Sequence, residues 1–379
     1  MATCIHRYFT LAMYIRHLSL HNYRNYVHLE LDLDPRLNLF LGANAQGKTN
    51  LLEACHLLAT ARSHRTQRDN ELVQWEQQGY HISAEVKIRH GTEHLSLRYD
   101  PQQGKKAQIN GVLQPRLLDF VGQMKVVLFA PEHLSLVKGD PGQRRRFLDI
   151  LLSQLYTRYL YELSQYQRVL REKGNLLKTP LPENTLLDVY NAQLAELGAS
   201  LMRKRAEAVD VIAPLAMMYH KQLHPAECLK IRYQSQIELE APYTQARVRD
   251  NLLQLMEAKR SEELRRRFCV VGLQRDDLDI TLNGEDAKRF ASQGQQRSIV
   301  LALKVAEAHY MDNVSMDRPI LILDDLFSEL DNDRQAHLLS LLQDFGQTLI
   351  SAVSLPPVLH SKAKRIYRVQ EGKVNLTER

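Results

Sequence analysis

A glycine-rich segment near the start of the chain constrains its fold more than any other feature. The residues GANAQGKT, at 42–49, lie between the apolar run NLFL and the stretch NLLEACHLLA. They match the full G-x-x-x-x-G-K-[ST] pattern, in the strand-to-helix context that this pattern requires. Its glycines let the backbone curve, so that successive N–H groups face a phosphate at the start of a helix. The segment therefore predicts a strand, a phosphate-binding loop and a helix over about residues 48–61.

Two side chains at the end of this loop carry the chemistry. In loops of this kind the lysine reaches the β and γ phosphates of a nucleotide, and the following Ser or Thr hydroxyl ligates Mg²⁺. Lys48 and Thr49 occupy these positions. We expect both to act at a bound nucleoside triphosphate.

A second motif, PILILDDLFSELD at 319–331, is an apolar strand that runs directly into two acids. Ligands of open α/β sheets bind at the carboxyl ends of such buried strands. Asp324 is expected to hold Mg²⁺, directly or through water, and Asp325 to polarise the attacking water. Alone, an apolar strand that ends in acids is equally compatible with a structural role, but the phosphate loop in the same chain favours the functional one.

The third segment is FASQGQQR, at 290–297, just before a helical stretch. Ser292 can cap that helix, and Gly294 lets a phosphate approach the backbone, with Gln295 beside it. In isolation this is an ordinary helix start. Its place between the phosphate loop and the acidic strand gives it a possible role in catalysis.

The remaining pattern divides the chain into three parts. Strand-like alternation fills residues 13–41 and 79–130, with Asn110-Gly111 predicting a hairpin turn and the strands forming a mainly antiparallel sheet. Residues 143–225 have helical periodicity, with arms over 145–178 and 185–223 that predict an antiparallel helical hairpin. Helix and strand then alternate, as in a parallel sheet. The expected elements are a helix over 244–267, a helix over 295–311, a strand over 319–324, a helix over 333–345 and a strand over 347–352.

Composition excludes several classes of protein. No apolar run approaches the roughly 20 residues of a membrane helix. The four cysteines lie far apart, without disulfide or zinc-ligand spacing, which favours a cytoplasmic location. The net charge of +6 is a weak indication of a polyanionic partner. Residues 1–12 are interpreted as a possible N-terminal extension, because Met13 opens a natural strand.

The order of phosphate loop, Ser-x-Gly-Gln turn, acidic strand and SELD segment (328–331) resembles the ABC/SMC class of ATPases. The segments NYRNY, LFAPEHLSLVKGDPGQRRRFLD and GLQRDDL resemble the RecF family of bacterial recombination-repair proteins in particular. The implied fold class is α/β, an ABC-type P-loop ATPase head with a mixed sheet and an inserted antiparallel helical lobe. The implied parts are residues 13–142 and 226–379 for the head, with the signature turn and Walker B strand in the second, and residues 143–225 for the lobe.

By this resemblance ATP joins two copies of the chain, and the signature turn of one completes the nucleotide site of the other. The implied cofactors are ATP and Mg²⁺. The implied site comprises Lys48, Asp325, Ser292, Gly294 and Gln295 as catalytic residues, Thr49 and Asp324 as metal ligands, and Gly42, Ala43, Asn44, Ala45, Gln46, Gly47, Lys48, Thr49, Asn50, Arg24, Asn25, His64 and Arg65 as nucleotide-binding residues.

The function implied is ATP-dependent binding of single- or double-stranded DNA at gaps or junctions, in recombinational repair and replication-fork maintenance, with no membrane involved. An ATP-driven homodimer would clamp DNA and help load recombinase, with partners of the RecO and RecR type. Asp325 stands where most ABC ATPases have glutamate, so we expect a weak DNA-dependent ATPase that acts as a switch. The alternatives are a soluble ATPase subunit of an ABC transporter and a P-loop kinase.

Several positions depart from these patterns or leave their roles open. SAVS (351–354) replaces the histidine that many ABC proteins have after the next strand, so that contact is absent or made by a hydroxyl. The QRDD segment (274–277) lacks the expected Pro-His, which leaves Gln274 without a role, and its acids with Asp279 suggest either a metal cluster or a polar turn. Arginine clusters at 144–146, 203–205 and 265–267 suggest either phosphate contacts or solvated helix faces.

Overall fold

The structure is a computed structural model that describes residues 13–315, 317–329, 332–342, 345–360, 363 and 365–377. The possible extension at residues 1–12 and the side chains of the SELD segment lie outside the described residues. Among the described residues no helix combines the length and the apolar character that crossing a membrane requires.

The structure has strands in the regions predicted, including 13–41, 79–130, 319–324 and 347–352, and two further strands after residue 360 that were not predicted. The strands are β1 (Tyr14–Tyr23), β2 (Tyr26–Asp32), β3 (Leu37–Leu41), β4 (Tyr80–Ile88), β5 (Gly91–Asp100), β6 (Gly104–Ile109), β7 (Val112–Leu113), β8 (Val126–Phe129), β9 (Leu229–Gln234), β10 (Asp277–Leu282), β11 (Glu285–Asp286), β12 (Ile320–Leu323), β13 (Thr348–Ala352), β14 (Arg365–Gln370) and β15 (Lys373–Leu376).

The α-helices include one of 40 residues, in the predicted helical block. They are α1 (Lys48–Thr60), α2 (Ser135–Lys138), α3 (Pro141–Leu155), α4 (Thr157–Leu176), α5 (Asn184–Leu223), α6 (Gln245–Ala258), α7 (Arg260–Arg266), α8 (Ala287–Phe290), α9 (Gln293–Ser315) and α10 (Asn332–Leu342).

The chain divides into two compact units. The first contains the described residues up to His133 and those from Glu307 onward, and the second is Leu134–Ala306. These bounds do not coincide with the predicted lobe of residues 143–225, because the second unit also contains the sheet formed by β9, β10 and β11.

The first unit contains two six-stranded sheets. One is antiparallel, in the order β2-β1-β4-β5-β6-β7. Its β6–β7 hairpin turns at Asn110 and Gly111, whose φ angles of 52° and 79° suit a two-residue hairpin loop, as predicted. The other sheet has the order β15-β14-β3-β13-β12-β8, and only β15 is antiparallel to its neighbour.

This second sheet positions the phosphate loop and the acidic strand. β3 leads into the loop and α1, and β12 leads into Asp324. β13 lies between β3 and β12, parallel to both, so the carboxyl ends of all three strands meet at one edge. Every residue of β12 is buried, as its continuous apolar sequence predicts for a strand covered on both faces.

The helical part of the second unit differs from the expectation in two places. The arm predicted over 145–178 is two helices, α3 and α4, because Tyr156 adopts an extended conformation with φ −134° and ψ 101°. Its ring lies under the Lys204 ammonium, 4.6 Å from the ring centroid. The helix predicted over 244–267 also breaks, at Lys259 between α6 and α7. No proline or glycine marks either break, so the periodicity gave no warning of them.

Candidate nucleotide site

The backbone of the phosphate loop requires glycine at two positions. A Cβ on Gly42 would lie 2.3 Å from the Val369 carbonyl oxygen of β14, closer than any real contact. Gly47 has a φ of 116°, and a Cβ there would lie 2.6 Å from the Asn25 side-chain nitrogen. Ala43, Asn44 and Ala45 form the exposed outer part of the loop. The loop thus packs closely against β14 and against the turn between β1 and β2.

Gln46 fixes the same loop from a third direction. Its side-chain carbonyl accepts a hydrogen bond of 2.8 Å from the Glu371 backbone N–H, and its own carbonyl accepts one of 3.2 Å from Gly372. The Tyr26 hydroxyl donates to the Gly47 carbonyl at 2.9 Å. Sequence reasoning gave no role to Tyr26, although it closes the NYRNY segment, or to Glu371, which belongs to no local motif.

The Lys48 ammonium is directed onto its own loop. It donates to the carbonyl oxygens of Gly42 and Ala43, at 2.8 and 2.9 Å, and the residue is 3% exposed. A lysine contacts a phosphate as a point charge, through the N–H donors of its ammonium group. A bound phosphate would therefore replace the two neutral carbonyl oxygens as the acceptor of these hydrogen bonds.

Thr49 and Asp324, the two predicted metal ligands, are in contact. The Thr49 hydroxyl donates a hydrogen bond of 3.0 Å to Asp324 Oδ1, which also accepts one of 2.7 Å from the Ser351 hydroxyl. Ser351 Oγ in turn accepts a hydrogen bond of 2.7 Å from the Asp325 N–H. The Ser351 hydroxyl of β13 therefore links the two acids, and that it takes the place of the usual histidine stays a prediction. Asp325 has a φ of 47°, so the chain turns sharply between them.

Burial determines the charge state of Asp324. It raises the pKa of this carboxyl to about 6, with hydrogen bonds from Ser351 and Thr49 acting in the opposite direction and the neighbouring Asp325 adding to the rise. A hydroxyl and a buried carboxylate side by side are oxygen ligands of the type that Mg²⁺ prefers. A cation bound there would offset the cost of the buried charge. The residues present thus fit the predicted metal site.

A buried carboxylate that sequence reasoning missed lies in α1 itself. Glu53 is fully buried and accepts two hydrogen bonds from the Arg24 guanidinium, at 2.8 and 2.9 Å. Burial raises the pKa of Glu53, but the hydrogen bonds from Arg24 and Ser63 outweigh this effect, so the pKa is lowered. Arg24 thus makes a bidentate ion pair within the protein. No local signal identifies Glu53, which lies within an apolar helix.

The other residues carried over by resemblance lie around the same helix start. Arg65 donates to Asn50 Oδ1 at 3.0 Å, and Asn50 donates to Asn25 Oδ1 at 2.8 Å. Asn25 donates to the Gln46 carbonyl at 3.1 Å. The His64 ring packs edge-on against His56, with centroids 5.2 Å apart. The structure thus brings all four predicted residues, including Arg24, to the start of α1, and their binding roles remain predictions.

The predicted signature turn lies in the second unit and forms a capping box. The Ser292 hydroxyl accepts from the Gln295 N–H at 3.3 Å, and the Gln295 side-chain oxygen accepts from the Ser292 N–H at 2.8 Å. This reciprocal pair satisfies two N–H groups at the start of α9. Ser292 is exposed and Gly294 half-buried, so the turn presents its backbone to solvent.

The QRDD segment is held in the second unit by side-chain hydrogen bonds. The Tyr166 hydroxyl donates to Gln274 Oε1 at 2.7 Å, which gives Gln274 a role in packing. Asp276 is fully buried, and its burial raises the pKa to about 7 while Arg205 and a hydrogen bond from Tyr233 lower it. Among the described residues no group of three or more His, Cys, Asp or Glu is arranged to hold a metal.

Two of the three basic clusters each contain one buried arginine. Arg144 makes a bidentate pair with Asp277 at 2.6 and 2.8 Å, and Arg205 is 2% exposed and bonded to Asp149 at 2.7 Å. These two buried guanidinium groups are paired within the second unit, which is a structural role. Residues 265–267 are all exposed.

Comparisons with known proteins show the family to which the chain belongs. The family model described as "RecF/RecN/SMC N terminal domain" matches residues 14–377. The DNA replication and repair protein RecF of Symbiobacterium thermophilum is 43% identical over 372 residues, which cover 97% of this chain and 99% of that protein.

Solved structures confirm the predicted ABC-type head. A structure of the recombination mediator protein RecF with ATP in the RecFOR pathway has a TM-score of 0.92 and 27% identity, and covers 98% of this chain and 100% of that one. The Smc head domain of Pyrococcus furiosus, solved with the C-terminal domain of ScpA, shares the fold, at a TM-score of 0.56 and 14% identity over 96% of each chain. On its sequence, its fold and the match of its family model, the chain belongs to the RecF family of the SMC-type ATPases.

Proposed function

We propose that this chain is an ATP-dependent DNA-binding protein of recombinational repair and replication-fork maintenance. The observation that carries the proposal is the contact between Thr49 at the phosphate loop and Asp324 at the end of β12, at 3.0 Å. It joins the two halves of a Mg-nucleotide site at one sheet edge. The relatives are named as DNA replication and repair proteins, and a similar structure holds ATP.

In the proposed site each side chain has a distinct task. The loop N–H groups and Lys48 hold the phosphates, and Thr49 and Asp324 hold Mg²⁺, which neutralises charge on the phosphates when bound. Ser351 keeps the Asp324 carboxylate in place through its 2.7 Å hydrogen bond. Asp325 is the residue that orients water. Its side chain is one methylene shorter than glutamate, which supports slow hydrolysis suited to a switch.

The exposed signature turn supports an ATP-driven homodimer. A capping box at the start of the 23-residue helix α9 presents a helix N-terminus, which favours negative charge. In the proposed dimer Ser292 and Gly294 of one copy contact the γ-phosphate held by the other. The dimer then clamps DNA at gaps or junctions, and slow hydrolysis releases it.

One exposed surface of the second unit has the chemistry to contact DNA. Residues 265–267 are three consecutive exposed arginines, followed by Phe268, which is 41% exposed. The Arg275 and Arg266 guanidinium groups lie near the Phe268 ring, at 5.4 Å and 6.0 Å from its centroid. Arginines bind phosphates and an exposed aromatic ring stacks on bases, so this arginine–phenylalanine patch is the proposed contact to DNA.

The proposed setting is the cytoplasm, with repair proteins of the RecO and RecR type as partners that help load recombinase. The similar RecF structure with ATP is that of a recombination mediator protein in the RecFOR pathway, which supports this setting. The alternative of a transporter ATPase subunit is not favoured, because the relatives named above are repair proteins.

The direct test measures fluorescence anisotropy of a labelled gapped duplex with Mg-ATP or Mg-ADP. Wild type is expected to bind with ATP and much more weakly with ADP, and Thr49→Val to lose the difference. Arg265→Gln should reduce the salt dependence of binding, by about one unit of slope per lost phosphate contact. Arg247→Gln removes an exposed arginine paired with Glu240 and serves as the control. Equal affinity with ATP, ADP and no nucleotide would overturn the proposal.

A further inference from the structure

The Gln295 side chain is fixed at both of its polar ends. Its oxygen accepts from the Ser292 N–H at 2.8 Å, and its nitrogen donates to Glu227 Oε1, also at 2.8 Å. An amide has one acceptor and one donor end, so this pair of bonds determines its orientation. Glu227 lies in the segment between α5 and β9, outside the signature turn.

The second oxygen of Glu227 binds the end of α5. His220 Nε2 lies 2.7 Å from Glu227 Oε2, and an ionised carboxylate only accepts, so the histidine donates. His220 is fully buried in the last turn of this 40-residue helix, and the Glu227 side chain is 17% exposed. Hydrogen bonds to a charged carboxylate are stronger than those between neutral groups.

A second contact, one helical turn further along the chain, joins the end of α5 to α9. His224 Nε2 lies 2.9 Å from the Ser298 hydroxyl, which donates to the Gly294 carbonyl at 3.1 Å. Ser298 is 2% exposed. His224, directly after α5, therefore contacts α9, whereas His220 is linked to the signature turn through Glu227.

We propose that the hydrogen-bonded chain from His220 through Glu227 to Gln295 sets the position of the signature turn. Glu227 and His220 are then positioning residues for a nucleotide site whose phosphates a second copy of this chain holds. This inference rests on the proposed function. It adds that the end of α5 is coupled to ATP-driven dimerisation, so a shift of that helix end changes how tightly two copies associate.

The test measures the dissociation constant of the dimer by sedimentation in Mg-ATP, together with ATP affinity of the monomer and the melting temperature. Glu227→Ala is expected to weaken the dimer about tenfold, the effect of one hydrogen bond to a charged group. Monomer affinity for ATP should be unchanged, because the turn serves the other copy. Glu227→Gln keeps an acceptor for the Gln295 amide and should recover part of the loss. Glu285→Ala, an exposed glutamate of β11, is the control.

The outcomes separate this inference from the proposed function. If wild type dimerises with ATP and Glu227→Ala behaves as Glu285→Ala does, the inference is overturned and the proposed function stands. If wild type does not dimerise with ATP, both fail. If Glu227→Ala lowers the melting temperature so far that it cannot be assayed, Glu227→Gln and His220→Leu are measured in its place. The inference is overturned if both of these variants have the same dimer dissociation constant as wild type.

Discussion

The Thr49 hydroxyl and the Asp324 carboxylate, 275 positions apart in the chain, are joined by a hydrogen bond of 3.0 Å. The contact forms because β3 and β12 flank β13 in parallel, which brings the ends of the two strands to one sheet edge. It places a neutral hydroxyl and a buried carboxyl where a divalent cation would bind both. We therefore expect the protonation state of Asp324 to affect cation binding at this edge of the sheet.

Mg-ATP affinity is expected to fall as the pH falls through about 6, the pKa to which burial raises Asp324. Above that pH the carboxylate is charged and available to a cation. Below it, a proton must first be displaced, at a cost of about tenfold in affinity one unit below the pKa. ATP itself titrates in this range, so Asp324→Asn is measured in parallel by calorimetry. A decline of equal size in wild type and variant would show that Asp324 is not responsible.

The same buried carboxyl should destabilise the nucleotide-free protein. A folded-state pKa of about 6, against an ordinary 3.8, means that the unfolded chain holds the charge more easily. This cost is fully present above pH 6 and disappears below the ordinary value. Asp324→Asn is expected to raise the free energy of unfolding by about 3 kcal/mol at pH 8 and by about half as much at pH 5.

Urea denaturation without Mg²⁺ and nucleotide measures this effect. The variant should also lose the stabilisation that Mg-ATP gives to wild type. A variant less stable than wild type at pH 8 would mean that the hydrogen bonds from Thr49 and Ser351 outweigh the burial of the charge.

A methyl group at Gly42 should disrupt the phosphate loop. Its Cβ would meet the Val369 carbonyl oxygen at 2.3 Å, and a backbone atom cannot move aside as a flexible side chain can. Gly42→Ala is expected to cost about 2 kcal/mol or more of stability and to weaken ATP binding, as measured by thermal denaturation and ATP titration. Gly174→Ala in α4, with open space around the added carbon, should instead stabilise by about 0.5–1 kcal/mol. Equal effects of the two substitutions would contradict this account.

The parts of the site that sequence predicted are those encoded within short segments. The phosphate loop, the acidic strand and the Ser292 capping box each follow from local patterns. The phosphate loop and the acidic strand meet because β3 and β12 both lie beside β13, and the βα alternation predicted the parallel sheet but not this strand order. The helix breaks at Tyr156 and Lys259 lay beyond such reasoning, because no proline or glycine marks them.

The family resemblance predicts that Arg24 binds the nucleotide, whereas in the structure it forms an ion pair within the protein. Its guanidinium is bonded to the fully buried Glu53, at 2.8 and 2.9 Å. Arg24→Ala leaves that charge without its bidentate partner, and is expected to lower the free energy of unfolding by about 3 kcal/mol. Arg24→Lys should recover only part of the loss, because an ammonium does not match the carboxylate in a bidentate way.

Chemical denaturation and ATP titration of both variants distinguish the two tasks. Unchanged stability, with ATP affinity alone reduced, would show that Arg24 serves the nucleotide and not Glu53.

Long-range charge pairs explain why the remaining site residues could not be predicted. Glu53 and Glu227 stand in no motif; Arg24 was predicted as a nucleotide-binding residue, but its pairing with Glu53, like that of His220 with Glu227, is recognisable only in the folded chain. The arginine clusters at 144–146 and 203–205 resemble phosphate contacts in sequence, yet Arg144 and Arg205 satisfy Asp277 and Asp149 inside the second unit. Exposure, which sequence does not reveal, distinguishes them from residues 265–267.

The central claim is that ATP joins two copies of this chain through the signature turn. Sedimentation velocity with and without Mg-ATP tests it most directly, with Ser292→Arg placing a large side chain at the turn and Ser164→Arg, at an exposed site in α4, as the control. The account predicts dimers of wild type and Ser164→Arg in Mg-ATP only, and monomers of Ser292→Arg that still bind ATP. A monomeric wild type in Mg-ATP, or a Ser292→Arg protein that dimerises as wild type does, would contradict it.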